Sequence, residues 1–462
     1  MRKLFFFNII ATIFLLAINY ETVIGNLAMQ NSQIASGTIR IGLESRYLNE
    51  NQVSVGGPVI INGTRFDGTV TIRVGGASST HVELIYNNSI FSESHTPFVA
   101  TAADVNGIYI RGRTYRGHIE LGRQIPGNGI TPVNVVSLEE YLKSVVPSEM
   151  PASWHMEALQ AQAVAARTYS MYRRGSHNHL GYELCDTVFS QVYSGIEWEH
   201  YRTTQAVLNT TGRIITYDGL PILAVYSSSN GGFSESSEYV WLETVPYLRA
   251  VSDVYETGGL VWDRTVTREE IQNALPASAN IGQVTSITLD GRTPGGRVHT
   301  LTIHGTNGNH SMEREAIRSF FSSIDGSLPS RMFQIGSPMP NISENMFGNE
   351  LPTSPLTNYF AINDLGDLFR LPQTFYTLGQ TGLYTLDVSQ NQNSPVGSQN
   401  PPIVTERQTH NFSNGSVTLH GRGFGHGVGM SQFGAYSMAR AGYTYVQILQ
   451  HYFTETQIVT IN

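Results

Sequence analysis

Between Gly37 and Asn134 apolar and polar residues alternate in short runs, at 39–43, 69–74, 82–86 and 107–111, with Gly and Asn punctuating them. A period of two belongs to strands with one buried face, so 37–134 is predicted to be a β-rich N-terminal region. Asn106-Gly107, between apolar neighbours, predicts a hairpin turn. The period then changes. Ser137-Leu-Glu-Glu140 reads as a capping box that opens a short helix as far as Val146, and Pro147-Ser-Glu-Met-Pro151 breaks it. Ser153 is expected to cap a second helix, 154–174, which Gly175 closes. Ala158, Ala161, Ala163, Ala165 and Ala166 run round most of that helix. A helix small and apolar on every side is buried and closely packed.

Strand-like runs return at 214–217, 222–226, 285–289 and 299–304, and a helix is predicted at 312–321. From 336 to 410 Asn, Pro, Ser, Thr and Gln dominate, which predicts a loop-rich insertion with a hairpin around 376–386. Order resumes with a strand at 417–420, a glycine-rich loop, and helices at 432–441 and 445–452. The expected fold class is therefore α+β, with one mixed domain split by the insertion into 135–335 and 411–462.

Composition narrows the setting. Only 14% of the 462 residues are charged, below the average of about 25%. Net charge is −8 and no basic run exceeds pairs such as Arg173-Arg174, so a nucleic-acid partner has no electrostatic footprint. Arg2 and Lys3 precede an apolar stretch from Leu4 to Ile18 that only Asn8 and Thr12 interrupt. That is shorter than the roughly 20 residues of a membrane span and suits a signal peptide. Residues 1–28 are read as a signal peptide, cleaved near Gly25 or Ala28, or as an uncleaved N-terminal anchor; any membrane contact is expected through this segment alone. The protein is expected to act outside the cytoplasm. The lone Cys185 permits no internal disulfide.

Four clusters carry candidate chemistry. Glu149 lies between Pro147 and Pro151, with Met150 and Trp154 to desolvate it, and reads as a general acid on a rigid turn; a solvent-facing turn residue is the plainer alternative. On the Ala-rich helix, Gln162, Arg167 and Tyr169 offer polar groups, and Arg167 either holds a ligand or pairs with a buried carboxylate. Tyr226-Ser-Ser-Ser-Asn-Gly-Gly232, with Glu235, Glu238 and Trp241 after it, supplies hydroxyls of the kind sugars require. Ser227 and Ser228 lack the G-x-S-x-G elbow of α/β serine hydrolases. Lastly, Gly421-Arg-Gly-Phe-Gly-His-Gly-Val-Gly-Met-Ser-Gln-Phe-Gly434 displays His426 among glycines, with Ser431 and Gln432 beside it, and is not a dinucleotide fingerprint.

In order, Ser137 to Pro151 running into Glu157-Ala-Leu-Gln-Ala-Gln-Ala-Val-Ala-Ala-Arg-Thr-Tyr169, then Ala224-Val-Tyr-Ser-Ser-Ser-Asn-Gly-Gly232, then Gly421 to Gln432, resemble the stage II sporulation protein D family. Its members are also called SpoIID/LytB-type or amidase-enhancer proteins. Cys185-Asp186 and Gln191-Val-Tyr193 fall where that family has matching elements, and the resemblance covers about 134 to 462 apart from the insertion. It implies lytic cleavage of peptidoglycan glycan strands stripped of stem peptides, with Glu149 as the acid. Residues 135–335 and 411–462 are then the two parts of a catalytic domain whose buried helix and strands form a glycan groove, lined by Gln162, Arg167, Tyr169, Tyr226, Ser227, Ser228, His426, Ser431 and Gln432. Some relatives bind zinc through a His, the Cys of Cys-Asp and a His-Cys pair; Phe189-Ser190 stands in the place of that pair, so no metal and no cofactor is expected here. The alternative function is a non-catalytic glycan-binding enhancer of a cell-wall amidase. A β-rich surface adhesin is the remote third reading.

Overall fold

The computed structural model describes residues 37–76, 81–124, 127–256, 260–339 and 404–461, together with the backbone of two strands between 374 and 387. The predicted signal or anchor segment and most of the predicted insertion lie outside the described residues. Helices and several sheets are both present, as α+β requires. No helix among the described residues is long and apolar enough to cross a membrane. The chain divides into two compact units, one of residues up to 149 plus 169–208, the other of 150–168 plus 209–462.

The first unit is built on two sheets. One has seven strands, in the order Leu184–Cys185, Thr38–Gly42, Val133–Ser137, His118–Leu121, Phe98–Ala102, Val59–Ile61 and Thr64–Phe66. The other has six, in the order Arg113–Tyr115, Ile108–Ile110, Gln52–Gly56, Val70–Val74, Val82–Tyr86 and Ser89–Ser94. Alternation buries every second residue, as at Val53, Val55, Val70 and Ile72. Three tight hairpins turn at Asn62-Gly63, Asn87-Asn88 and Arg111-Gly112, where both central residues have positive φ. Asn106-Gly107 is no hairpin turn, because the flanking strands Phe98–Ala102 and Ile108–Ile110 belong to different sheets. Leu184–Cys185 pairs in parallel with Thr38–Gly42, so this later segment completes the N-terminal sheet.

Helix α1, Leu138–Glu149, leaves the strand Val133–Ser137 directly. The Ser137 hydroxyl accepts the Glu140 amide at 3.2 Å, capping the first turn. Against expectation α1 does not stop at Val146 but continues through Pro147. Pro147 falls in the last turn, where its fixed φ is already helical, and the Ser148 hydroxyl donates to the Ser144 carbonyl at 2.8 Å. Helix α2, Met156–Arg173, starts later than predicted, and its cap is not Ser153: the Glu157 amide donates to His155 Nδ1 at 3.4 Å.

In the second unit Ala158, Leu159, Ala161, Ala163, Val164, Ala165 and Ala166 of α2 are all 0% exposed. Helix α3, Tyr201–Asn209, belongs to the first unit as far as Leu208; the second resumes at Asn209, and its strand Arg213–Tyr217 lies between Leu220–Pro221 and Gln457–Thr460. A three-stranded sheet sets Ser416–Arg422 between Val261–Thr267 and Phe333–Ile335. A four-stranded sheet runs Gly308–Glu313, Val298–Gly305, Val284–Arg292, Val404–Asn411. Their shared core holds Ile287, Leu289, Leu301, Ile303, Phe321, Phe333 and Leu419. Met312 pairs opposite Leu301 on a strand, so the helix predicted at 312–321 is confined to Glu315–Phe320. Val404–Asn411 belongs to the four-stranded sheet, so the predicted insertion ends before it. Inside the insertion Thr374–Gly379 and Gly382–Asp387 form an antiparallel hairpin. Helices α4, Gln432–Arg440, and α5, Tyr445–Tyr452, close the unit; the Tyr445 amide of α5 donates to Glu157 of α2 at 2.6 Å.

Candidate functional site

Glu149 is the last residue of α1 and is half-buried. It therefore sits at the negative end of a helix rather than on a free turn ahead of a positive one. Its neighbours in the first unit are phenols. Burial pushes Tyr141 well above its ordinary value, with the charges of Tyr193 and then Glu149 adding to the rise. Tyr169, half-buried, is raised by burial against the nearby Arg173 cation, and the Glu149 charge again contributes. Gln191 fixes the floor: its Oε1 accepts from Ser170 Oγ at 2.7 Å and from the Tyr141 hydroxyl at 3.3 Å. The Cys-Asp and Gln-Val-Tyr elements are interior struts of this unit. Asp186 accepts the Ser45 amide at 2.8 Å, and the Tyr193 hydroxyl donates to Asn134 Oδ1 at 2.9 Å. Tyr141 was not singled out from sequence, although its place two turns before Glu149 was a usable signal. A concavity of about 310 Å³, lined in part by Ala102, Arg116, Glu140 and Ile196, also lies in this unit and holds none of the predicted site residues.

Metal-ligating groups were expected to be too few. Phe189 is exposed, and Ser190 is tied to Cys185, its hydroxyl accepting the Cys185 amide at 3.1 Å and lying 3.4 Å from Sγ. Nevertheless Glu44, His177 and Cys185 bring three ligand atoms within 4.8 Å of one another. The trio is one short of a closed tetrahedral set, and Tyr182 already donates to Glu44. A second trio, His81, Glu83 and Glu93, gathers on a surface hairpin.

The second unit unites the serine-rich turn with the glycine loop. Tyr226–Ser227 pairs in parallel with Met430–Ser431, and the Phe433 amide donates to the Ser228 carbonyl at 3.0 Å. Beneath them lies a buried acid pair. Glu256 accepts from Ser229 Oγ, from the Asn230 amide at 3.0 Å and from Ser431 Oγ at 2.6 Å. Asp253 accepts from Asn230 Nδ2 at 2.9 Å and from the Tyr452 hydroxyl at 2.5 Å. Burial pushes Asp253 up to about 6, and burial together with the Asp253 charge raises Glu256. Ser431 is fully buried and also caps α4, accepting the Gly434 amide at 3.1 Å. Its hydroxyl is thus committed to the fold rather than displayed on a rim. Tyr226 and Ser228 keep partial exposure, while Ser227 Oγ is buried without a partner among the described residues.

Arg297 locks the glycine loop from below. It is 1% exposed and donates to the carbonyls of Asn230 at 2.9 Å, Phe233 at 3.0 Å and Gly295 at 3.1 Å, with Glu235 at 3.9 Å. Burial pulls its guanidinium down to about 10, against the Glu235 charge. Gly427 lies directly over it with φ +77°, and a Cβ there would fall 1.8 Å from Arg297 Nη2. His426 is half-buried; its Nδ1 accepts the Val428 amide at 3.0 Å, and loss of hydration pushes it down to about 4. On α2, Arg167 is enclosed and donates to the Arg213 carbonyl at 3.1 Å, which ties helix to strand. Gln432 Nε2 donates to Gln162 Oε1 at 3.4 Å, and both amides are buried. The predicted residues thus divide between the units: Glu149 and Tyr169 in the first, the remaining eight in the second.

Residues 126–217 match the family model described as stage II sporulation protein, and residues 251–347 match a domain of unknown function. The chain is 29% identical over 359 residues to the amidase enhancer of Bacillus subtilis (strain 168), covering 77% of this chain and 45% of that protein. It thus spans less than half of that relative's length. It is 28% identical over 347 residues to stage II sporulation protein D of the same organism, covering 71% and 75%. An uncharacterized protein of Brachyspira hyodysenteriae (strain ATCC 49526 / WA1) is 27% identical over 361 residues. The ordered motifs and these matches agree: the chain is similar to stage II sporulation protein D and amidase-enhancer proteins, and its residues 126–217 match the stage II sporulation protein family model.

Proposed function

We propose that this protein is a lytic transglycosylase that cleaves peptidoglycan glycan strands, with Glu149 as its acid and base. The observation that carries the reading is the setting of Glu149: a half-buried carboxyl at the end of a capped helix, among the phenols of Tyr141 and Tyr169, within the segment that matches the family. One such group suffices for the chemistry. The carboxylic acid gives its proton to the glycosidic oxygen as the C1–O bond breaks. The resulting carboxylate then takes the proton of the muramic C6 hydroxyl while O6 closes on C1 as a 1,6-anhydro ring. No water is consumed, and the acid ends protonated as it began. Action outside the cytoplasm follows from such a substrate and agrees with the sporulation and amidase-enhancer names of the relatives.

A second reading rests on the similarity to an amidase enhancer: the chain binds glycan and recruits or stimulates an amidase without cutting. Digestion of purified denuded glycan, with mass spectrometry of the new ends, separates the two. Anhydro ends that fall at least about 10²-fold in Glu149→Gln, the usual scale for loss of a general acid, support cleavage. Undiminished cleavage by the folded variant removes Glu149 from the role. Binding and amidase stimulation without any anhydro product would favour the second reading.

A further inference from the structure

Trp241 has no role in the cleavage chemistry proposed above and stands at the surface of the second unit. Its indole is 39% exposed, and Leu242 after it is 71% exposed with φ +78°. Together they leave apolar surface open to solvent on one short turn of backbone. That turn is fixed from several sides. The Ser237 hydroxyl donates to the Glu243 carbonyl at 2.7 Å and accepts the Val245 amide at 2.8 Å. Glu238 is clamped by both arms of Arg249, and the enclosed Arg331 donates to the Tyr239 carbonyl at 2.8 Å. The turn that bears Trp241 is therefore preorganised.

The indole meets His426 edge to face, with ring centroids 5.1 Å apart at 62°. The Val428 amide occupies Nδ1, so the neutral ring carries its proton on Nε2, and Nε2 has no partner among the described residues. Gly425 and Gly427, with φ +109° and +77°, hold the loop down on Ser227 and Arg297, and the imidazole between them is half-buried. Together these groups present a flat apolar face and, beside it, one uncharged donor. A pyranose ring matches this pair, because its axial C–H face is apolar and its rim carries acceptors.

We infer that Trp241 and His426 form a saccharide subsite in which the indole stacks on one N-acetylhexosamine ring and His426 Nε2–H donates to an oxygen of that ring's substituents. The subsite rests on the glycan-directed function proposed above and names its further contact. Trp241 here is a binding residue with no part in proton transfer.

The test uses the full chain carrying Glu149→Gln, titrated with the β-1,4-linked tetramer of N-acetylglucosamine by calorimetry. Trp241→Ala should raise Kd about tenfold, Trp241→Phe much less because a ring remains, and thermal midpoints should hold because the indole is partly outside already. With the catalytic carboxylate restored, Trp241→Ala should raise KM for denuded glycan and leave kcat nearly unchanged. Equal affinity of the parent and both Trp241 variants overturns the subsite while leaving the proposed function intact. Failure of the parent itself to bind either the tetramer or denuded glycan overturns the proposed function. Should Trp241→Ala unfold, unchanged affinity in His426→Phe, which deletes the Nε2 donor and keeps a ring, overturns the arrangement independently.

Discussion

Asn at position 253 would put the buried acid pair to a quantitative test. Asp253 is 0% exposed, its Oδ2 takes two hydrogen bonds, and its Oδ1 has no partner among the described residues. Burial pushes the carboxyl from 3.8 up to about 6. The folded chain therefore binds more protons than the unfolded chain between those values, and stability falls as pH rises through this window, then levels off above it. A rise of about two units at about 1.4 kcal/mol each amounts to about 3 kcal/mol of stability absent at neutral pH. Asn imitates the protonated acid and keeps an acceptor for Asn230 and Tyr452. Asp253→Asn should therefore match the parent near pH 4 and exceed it by about 3 kcal/mol near pH 7. Urea unfolding at stepped pH reads this difference directly, and comparing the two proteins cancels His426, which titrates in the opposite sense. A constant gap between the two proteins across the pH range would refute the reasoning, as would a loss of stability at pH 7. The carboxylate would then be ionised at no cost, with groups other than those named here supporting it.

Two further outcomes are expected. Gly427→Ala must place a Cβ 1.8 Å from Arg297 Nη2 at φ +77°, displacing a cation that holds three carbonyls; the loss of unfolding free energy read by urea titration should reach about 3 kcal/mol, and a change under about 0.5 kcal/mol would show that the loop does not rest on Arg297. Extensively dialysed protein should carry well under one zinc per chain and keep its thermal midpoint in chelator; stoichiometric zinc, lost in Glu44→Gln, would make Glu44 the ligand that the sequence comparison had not supplied.

What could be read ahead of the structure was what is local. Val82–Tyr86 and Tyr445–Tyr452 fall at their predicted bounds because alternation and helical period are set within a few residues. The hairpin around 376–386 was equally local. Pro147 misled because a proline in the final turn of a helix forfeits little, and sequence alone does not say which turn it occupies. The site was legible as a set of motifs but not as an arrangement. Glu256 and Asp253 carry no motif in the sequence, yet they hold the serine turn and the glycine loop by their hydrogen bonds. Ser431 looked like a ligand-facing hydroxyl and is a buried cap. Glu44 could not be grouped with His177 and Cys185, because only the parallel pairing of Leu184–Cys185 with Thr38–Gly42 brings that stretch of chain alongside. One signal was available and unused: a run of alternate glycines has to close down on something, and here that is a buried arginine.

The last strand, Gln457–Thr460, zips against Arg213–Tyr217, and Met430–Ser431 lies against Tyr226–Ser227. A chain emerging from the ribosome at about 5–20 residues per second makes Arg213–Tyr217 roughly 10 to 50 s before its partner exists. For that interval Ile214 and Ile215 sit on an unpaired β edge, which is a template for wrong pairing. The second unit can close only once Gln457–Thr460 has been made, so a holding factor or a secretion channel that keeps the chain extended suits its topology. Deletion of Gln457–Thr460 would leave the edge open for good, and such a product would aggregate even with every site residue in place.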